Sequence, residues 1–199
     1  MMFKPDSALE IHPGVFKTKI EGLYFLAYNF VGDERGFFAE VGHTHKIEAV
    51  TGQPFKIAQI NHSRSLLNVV RGMHAEGWNK LVTVINGFAF SALADVRPGS
   101  STFGVVEIFE LGPDNGGLKG SLYISQGIAN SVCVLKAPVD YIYCVDKLYA
   151  DRDKAGDQAI SLFDPDLNIA WPLDRDKMII SERDKNAVTL RQKFPDKYV

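Results

Sequence analysis

The sequence predicts an all-β fold, an antiparallel sandwich or barrel with only short helices at its periphery. Two observations carry this. Short apolar runs recur, each broken by glycine, proline or asparagine: Leu81 to Ile85 before Asn86-Gly87, Phe88 to Val96 before Arg97-Pro98-Gly99, and Val105 to Leu111 before Gly112-Pro113. Leu122 to Ile124, Ser131 to Leu135 before Ala137-Pro138, and Tyr141 to Val145 continue the series. Helical periodicity, by contrast, is weak, and the spacing predicts helices only over His45 to Thr51, ended by Gly52, and over Glu182 to Leu190.

Within this frame, Asn86-Gly87 reads as a two-residue hairpin turn. Phe88 to Val96 is apolar almost throughout, as a strand covered on both faces would be. Many strands with little helix leave a jelly-roll barrel, which encloses a ligand cavity, or an immunoglobulin-like sandwich; periodicity alone does not separate them.

The 199 residues suffice for one domain with a real core, and residues 1–199 read as a single domain whose core spans about 14–190. A formal net charge of −2 gives no nucleic-acid footprint, although local arginines could still hold a phosphate. No run approaches the ~18 apolar residues that span a membrane, and the opening MMFKPDSALE lacks the apolar stretch of a secretory signal. Cys133 and Cys144 lie in apolar runs and read as free thiols, so the chain is expected in the cytoplasm.

The polar residues that could carry chemistry cluster in one stretch. Gln59 and Asn61 alternate and share one face of a strand; Arg71 and His74 follow, then Lys80. One wall would then present amides, a guanidinium, an imidazole and an ammonium, a set that is costly to bury unless it meets an anion or a reacting group. Taken singly, Tyr143 and Tyr149 read as core aromatics, Asp184 as a solvated or capping residue, and Asp164-Pro165 as a turn. Gly112 to Gly117 is a glycine-rich loop without the strand-to-helix context of a phosphate cradle.

Read in order, these strings resemble the deoxysugar epimerase family typified by dTDP-4-dehydrorhamnose 3,5-epimerase. The matching pieces are Asp33 to Glu40, Gln59 to Ser63, Arg71 to His74, Lys80 to Val82, Asp95 to Gly104, Asp164-Pro165 with Ile169 to Pro172, and Ser181 to Asp184. The resemblance implies a cupin jelly roll, a homodimer without metal or other cofactor, in the biosynthesis of deoxysugars for cell-surface polysaccharide. It implies His74 as the catalytic base, Asp184 as the carboxylate that orients it, Lys80 beside the enolate oxygen and Tyr143 as the acid on the opposite face. It further implies that Arg35, Glu40, Gln59, Asn61, Arg71 and Tyr149 hold the nucleotide diphosphate of a dTDP-linked, or else GDP- or CDP-linked, 4-keto-6-deoxy sugar.

This chemistry is physically coherent. Removing a proton beside a ketone leaves charge on the ketone oxygen, and a cation aimed there stabilises the transition state more than the ground state. An imidazole held by a carboxylate suits the base. Two departures stand out: Asn130 replaces a histidine that the family carries in its pocket, and the segment Ala75 to Asn79 is shorter than the family's loop. Asn130 hydrogen-bonds but does not titrate. It also motivates the alternative of a nucleotide-sugar-binding cupin without catalysis. A metal reading of His43-x-His45 fails on spacing, since Gly36 stands seven residues before His43 and Glu48 three after His45.

Overall fold

A computed structural model describes residues 2–151 and 158–198. The strands are β1 Glu10–His12, β2 Val15–Lys17, β3 Leu23–Ala27, β4 Phe30–Asp33, β5 Gly36–Ala39, β6 Gln59–Ser65, β7 Val69–Ala75, β8 Lys80–Asp95, β9 Val106–Leu111, β10 Gly120–Ile124, β11 Ile128–Val145, β12 Gln158–Ala159 and β13 Ile179–Ile180. The α-helices are α1 Thr44–Thr51, α2 Glu182–Lys185 and α3 Leu190–Lys193.

The long strands β8 and β11 each serve two layers. The first half of β8 pairs with β10 and with the second half of β11, which in turn pairs with β6. The second half of β8 pairs with β9 and with the first half of β11, which pairs with β7. The two halves form two facing sheets, a jelly-roll barrel. β1, β2 and β3 extend the first sheet through β10; β12 and β13 extend the second through β7.

Alternation along the strands sorts the side chains. Ala89 and Leu93 enter the core between the sheets with Val82, Val84, Phe25, Phe109 and Leu122. Phe90, Ala92 and Ala94 point out of the second sheet and are covered by Ile160, Leu162, Leu167 and Leu190 of the C-terminal segment. Leu81 and Tyr123 point out of the first sheet onto Ile47 of α1 and Phe55. The continuous apolar run of β8 is therefore explained: both of its faces are covered.

Three local expectations are corrected. Asn86-Gly87 is no hairpin; β8 runs through it, and the register with β11 shifts around Lys136 and Asp140. The dipeptide supplies a positive φ at Gly87, +81°, for a bulged bend. Likewise, Ser131 to Leu135 and Tyr141 to Val145 are halves of one strand, β11. The C-terminal helix splits in two because Val188 leaves it to bridge Ile160, and Ser161 N–H donates to the Val188 carbonyl at 2.9 Å. Thr189 then starts α3 with a capping box. The first helix is found nearly as expected, and Gly52 ends it at φ +69°.

Cys133 is buried and Cys144 half-buried, both as free thiols. Burial pushes the Cys133 thiol up to about 11, which makes it inert. Among the described residues no helix is long and apolar enough to cross a membrane.

A Cβ on Gly87 would lie 2.4 Å from the Pro138 carbonyl oxygen and 2.6 Å from that of Lys136. Gly87→Ala is expected to destabilise the fold by about 2–4 kcal/mol. Gly104→Ala, at φ +80° but with nothing within 4 Å, should cost about 1 kcal/mol from backbone strain alone. Urea midpoints of the two variants check the difference.

Candidate active site

The open end of the space between the sheets forms a cleft of about 350 Å³. Its walls follow from strand alternation. On β7, Met73 and Ala75 turn outward into the apolar cover, so His74 and, just beyond the strand, Glu76 turn inward. Asn130 lies opposite His74 on the neighbouring strand β11. Lys80 and Tyr143 come from the first sheet, so they face His74 across the cleft.

His74 Nε2 lies 2.7 Å from Asp184 Oδ1. The ionised carboxylate only accepts, so it holds the imidazole proton on Nε2 and leaves a lone pair on Nδ1. Asp184 is buried, at 5% exposure. It sits in α2, where its own N–H donates to the capping Ser181 hydroxyl, and Gly72 N–H donates to its Oδ2 at 3.3 Å. Burial would raise the carboxyl, but the hydrogen bond and charge of His74, with hydrogen bonds from Gly72 and Ser181, outweigh it and hold Asp184 below the usual carboxylate range.

Lys80 is buried, and its ammonium contacts the Glu76 carboxylate and, at 2.5 Å, Asn130 Oδ1. The other end of the Asn130 amide donates to the Tyr141 hydroxyl at 3.2 Å. Burial chiefly, and then the Glu76 charge, raises both Tyr141 and Tyr143, while Arg71 pulls Tyr143 the other way. Both phenols are therefore protonated at neutral pH.

Most of the residues expected from the sequence meet here. His74, Lys80, Tyr143, Arg71, Asn130 and Tyr149 line the cleft, and Asp184 stands behind His74. Arg71 is held by the Ser65 hydroxyl at 2.9 Å. Gln59 and Asn61 do share one face of β6: Gln59 Nε2 donates to Asn61 Oδ1, and Tyr149 N–H donates to Gln59 Oε1 at 2.9 Å.

Four expected residues do not line the cleft: Gln59 and Asn61, which reach it only through Tyr149, and Arg35 and Glu40. β4 and β5 form a separate two-stranded hairpin, Arg35 is tied to Asp33 at its turn, and Glu40 lies 3.4 Å from His43. Neither borders the cleft. Asp184, read singly as a solvated or capping residue, is instead buried against β7. Asp164 makes its expected turn, accepting from Asp166 and Leu167, and also ties down Leu190 N–H at 2.6 Å.

Glu76, Tyr141, Ser63 and Arg183 line the cleft without having been singled out from the sequence. Glu76 and Tyr141 were findable, each being two residues from an expected site residue on the same strand face. A larger cleft, about 770 Å³, opens near Phe3 and Lys19, but its buried Glu107 is already paired with Lys19. Among the described residues no group of three or more His, Cys, Asp or Glu is placed to hold a metal ion.

Residues 17–192 match the family model described as dTDP-4-dehydrorhamnose 3,5-epimerase. The chain is 32% identical over 186 residues to dTDP-4-dehydrorhamnose 3,5-epimerase of Shigella flexneri, covering 92% of this chain and 96% of that protein. It is 30% identical over 177 residues to dTDP-4-dehydrorhamnose 3-epimerase of Streptomyces niveus, covering 87% and 82%. A crystal structure of dTDP-6-deoxy-D-glucose-3,5-epimerase from Legionella pneumophila, in complex with dTDP-4-keto-L-rhamnose, superposes with a TM-score of 0.80 at 32% identity, covering 92% of this chain and 95% of that one. The chain belongs to the dTDP-4-dehydrorhamnose 3,5-epimerase family, and its barrel is the cupin jelly roll of that family.

The lowered Asp184 carboxyl makes stability depend on pH. Because its folded value lies below its unfolded one, its contribution is full above the ordinary carboxylate range and is lost as pH falls through the folded value. Asp184→Asn should therefore cost about 2–4 kcal/mol near pH ~7, with the gap to wild type closing below pH ~4. Urea unfolding at both pH values measures it.

Proposed function

From family membership and the geometry of the cleft, we propose that the chain inverts C3, C5 or both of a nucleotide-diphosphate-linked 4-keto-6-deoxy sugar. The observation that carries this is the His74–Asp184 pair at 2.7 Å in a cleft that also holds Lys80 and Tyr143 on the facing wall. His74 takes the proton from the carbon beside the ketone, and the C–H electron pair moves onto the ketone oxygen as an enolate. Lys80 donates a hydrogen bond to that oxygen. Electrons return to the carbon as Tyr143 delivers its hydroxyl proton from the opposite face, after which solvent reprotonates the Tyr143 phenolate and takes the proton from the His74 imidazolium. Protons and charge balance without a cofactor.

Arg71 and Tyr149 in the cleft, with Gln59 and Asn61 next to Tyr149, are read as the residues that hold the nucleotide diphosphate, with dTDP as the default because the relatives named above are dTDP-sugar epimerases. Asn130 fixes Lys80 and Tyr141 rather than titrating, and it leaves the base and its carboxylate in place. The enzyme is read as one cytoplasmic domain in deoxysugar biosynthesis for cell-surface polysaccharide.

An exposed apolar patch on the β4–β5 hairpin supports reading the enzyme as a homodimer. Phe37 and Phe38 are 64% and 66% exposed beside Arg35, an apolar patch that a second copy would bury. In that assembly Arg35 and Glu40 reach the partner's cleft. Sedimentation should give twice the chain mass, and Phe37→Asp should both halve that mass and weaken dTDP binding. A dTDP-binding wild-type monomer overturns the assembly.

Incubation with dTDP-4-dehydro-6-deoxyglucose in heavy water should place deuterium at C3, C5 or both. His74→Ala should slow exchange about 1,000-fold or more while dTDP binding persists. Tyr143→Phe should slow product formation more than the first proton removal. Binding without exchange by the wild type, across dTDP-, GDP- and CDP-linked ketosugars, would mark a binding module instead.

A further inference from the structure

Glu76 has no part in the reaction outlined above, yet it stands among the groups that do. It lies two residues beyond His74 and faces the same cleft. Its side chain is 19% exposed and pairs with Lys80, whose side chain is 5% exposed. The segment joining them is short and pinned. Asn79 binds Asp146 through its N–H at 3.0 Å and its amide at 2.7 Å, Lys147 donates to the Gly77 carbonyl at 2.6 Å, and Gly127 N–H donates to the Glu76 carbonyl at 3.3 Å. The pair is therefore built by the local chain and does not depend on a mobile loop.

An ammonium carries three N–H donors on a flexible stem. Two donors of Lys80 are taken by Glu76 and Asn130, which directs the third. Resting on the epimerase reading above, we propose that Glu76 is a positioning residue: it touches neither reacting carbon, but it aims the Lys80 ammonium at the sugar's ketone oxygen.

The carboxylate does not cancel that cation. The enolate oxygen would sit about 3 Å from the ammonium and about 5–6 Å from the carboxylate behind it, so attraction exceeds repulsion by nearly twofold at any common dielectric. What Glu76 costs in charge it returns in direction, because a preorganised donor needs no reorientation as charge develops. This reading separates aim from charge. A glutamine at the position keeps an oxygen that accepts from the ammonium, whereas an alanine keeps nothing.

The test compares wild type, Glu76→Gln and Glu76→Ala with dTDP-4-dehydro-6-deoxyglucose in heavy water, following deuterium incorporation and steady-state constants. Glu76→Ala should lower kcat for exchange about 10- to 100-fold, with KM changed less than about threefold. Glu76→Gln should recover most of that loss. If Glu76→Ala exchanges within about twofold of wild type, or Glu76→Gln is as slow as Glu76→Ala, the positioning role is wrong although the epimerase reading stands. An equal fall in kcat/KM caused by KM alone also overturns it. Absence of exchange by the wild type itself would overturn both.

Discussion

β8 and β11 belong to both sheets, and the rest of the molecule is arranged around the bend where they pass from one to the other. That bend needs a positive φ at Gly87, closely packed against the carbonyls of Lys136 and Pro138. It allows one pair of neighbouring strands to close a barrel across a register shift. The strand ends then diverge into two walls. β7 carries His74 on one wall, while the start of β8 and the end of β11 carry Lys80 and Tyr143 on the other. Placement of reactive groups across the cleft thus follows from backbone continuity.

Burying so many polar groups in one cleft requires pairing, and the pairing is nearly complete. Asp184 meets His74, Gly72 and Ser181; Lys80 meets Glu76 and Asn130; Arg71 meets Ser65. Asn130 links the Lys80 ammonium to the Tyr141 hydroxyl with its two ends. A histidine at this position would bring one ring edge to the same task and would add a titrating group. The asparagine keeps the network neutral at that point, so Glu76 is the acidic partner that faces the ammonium inside the cleft.

Most strands were legible in the sequence because apolar runs bounded by turn residues report burial directly, as at Phe88 to Val96 and Val105 to Leu111. Asn86-Gly87 misled because a glycine with positive φ serves a hairpin and a bulge equally well. Glu182 to Leu190 misled because a single bridge from Val188 to Ile160 outweighed helix propensity. At the site, the Gln59–Asn61 face followed from period two. Asp184 was visible only through family resemblance, since its partner is 110 residues away. Arg35 and Glu40 were named from the same resemblance, and they lie away from the cleft, at and just after the β4–β5 hairpin.

That separation between His74 and Asp184 has a consequence for biosynthesis. Chains emerge from the ribosome from the N-terminus onward, so the imidazole is made long before its carboxylate. Up to Val145 every strand except β12 and β13 is already present, and the segment that brings Asp184 is the outer cover holding Leu162, Leu167 and Leu190. Until that segment is in place, the histidine lacks its orienting partner and the outer face of the second sheet lacks its cover. Fraying of that cover in the mature protein has the same effect. Completion of the C-terminal cover and assembly of the dyad are one event.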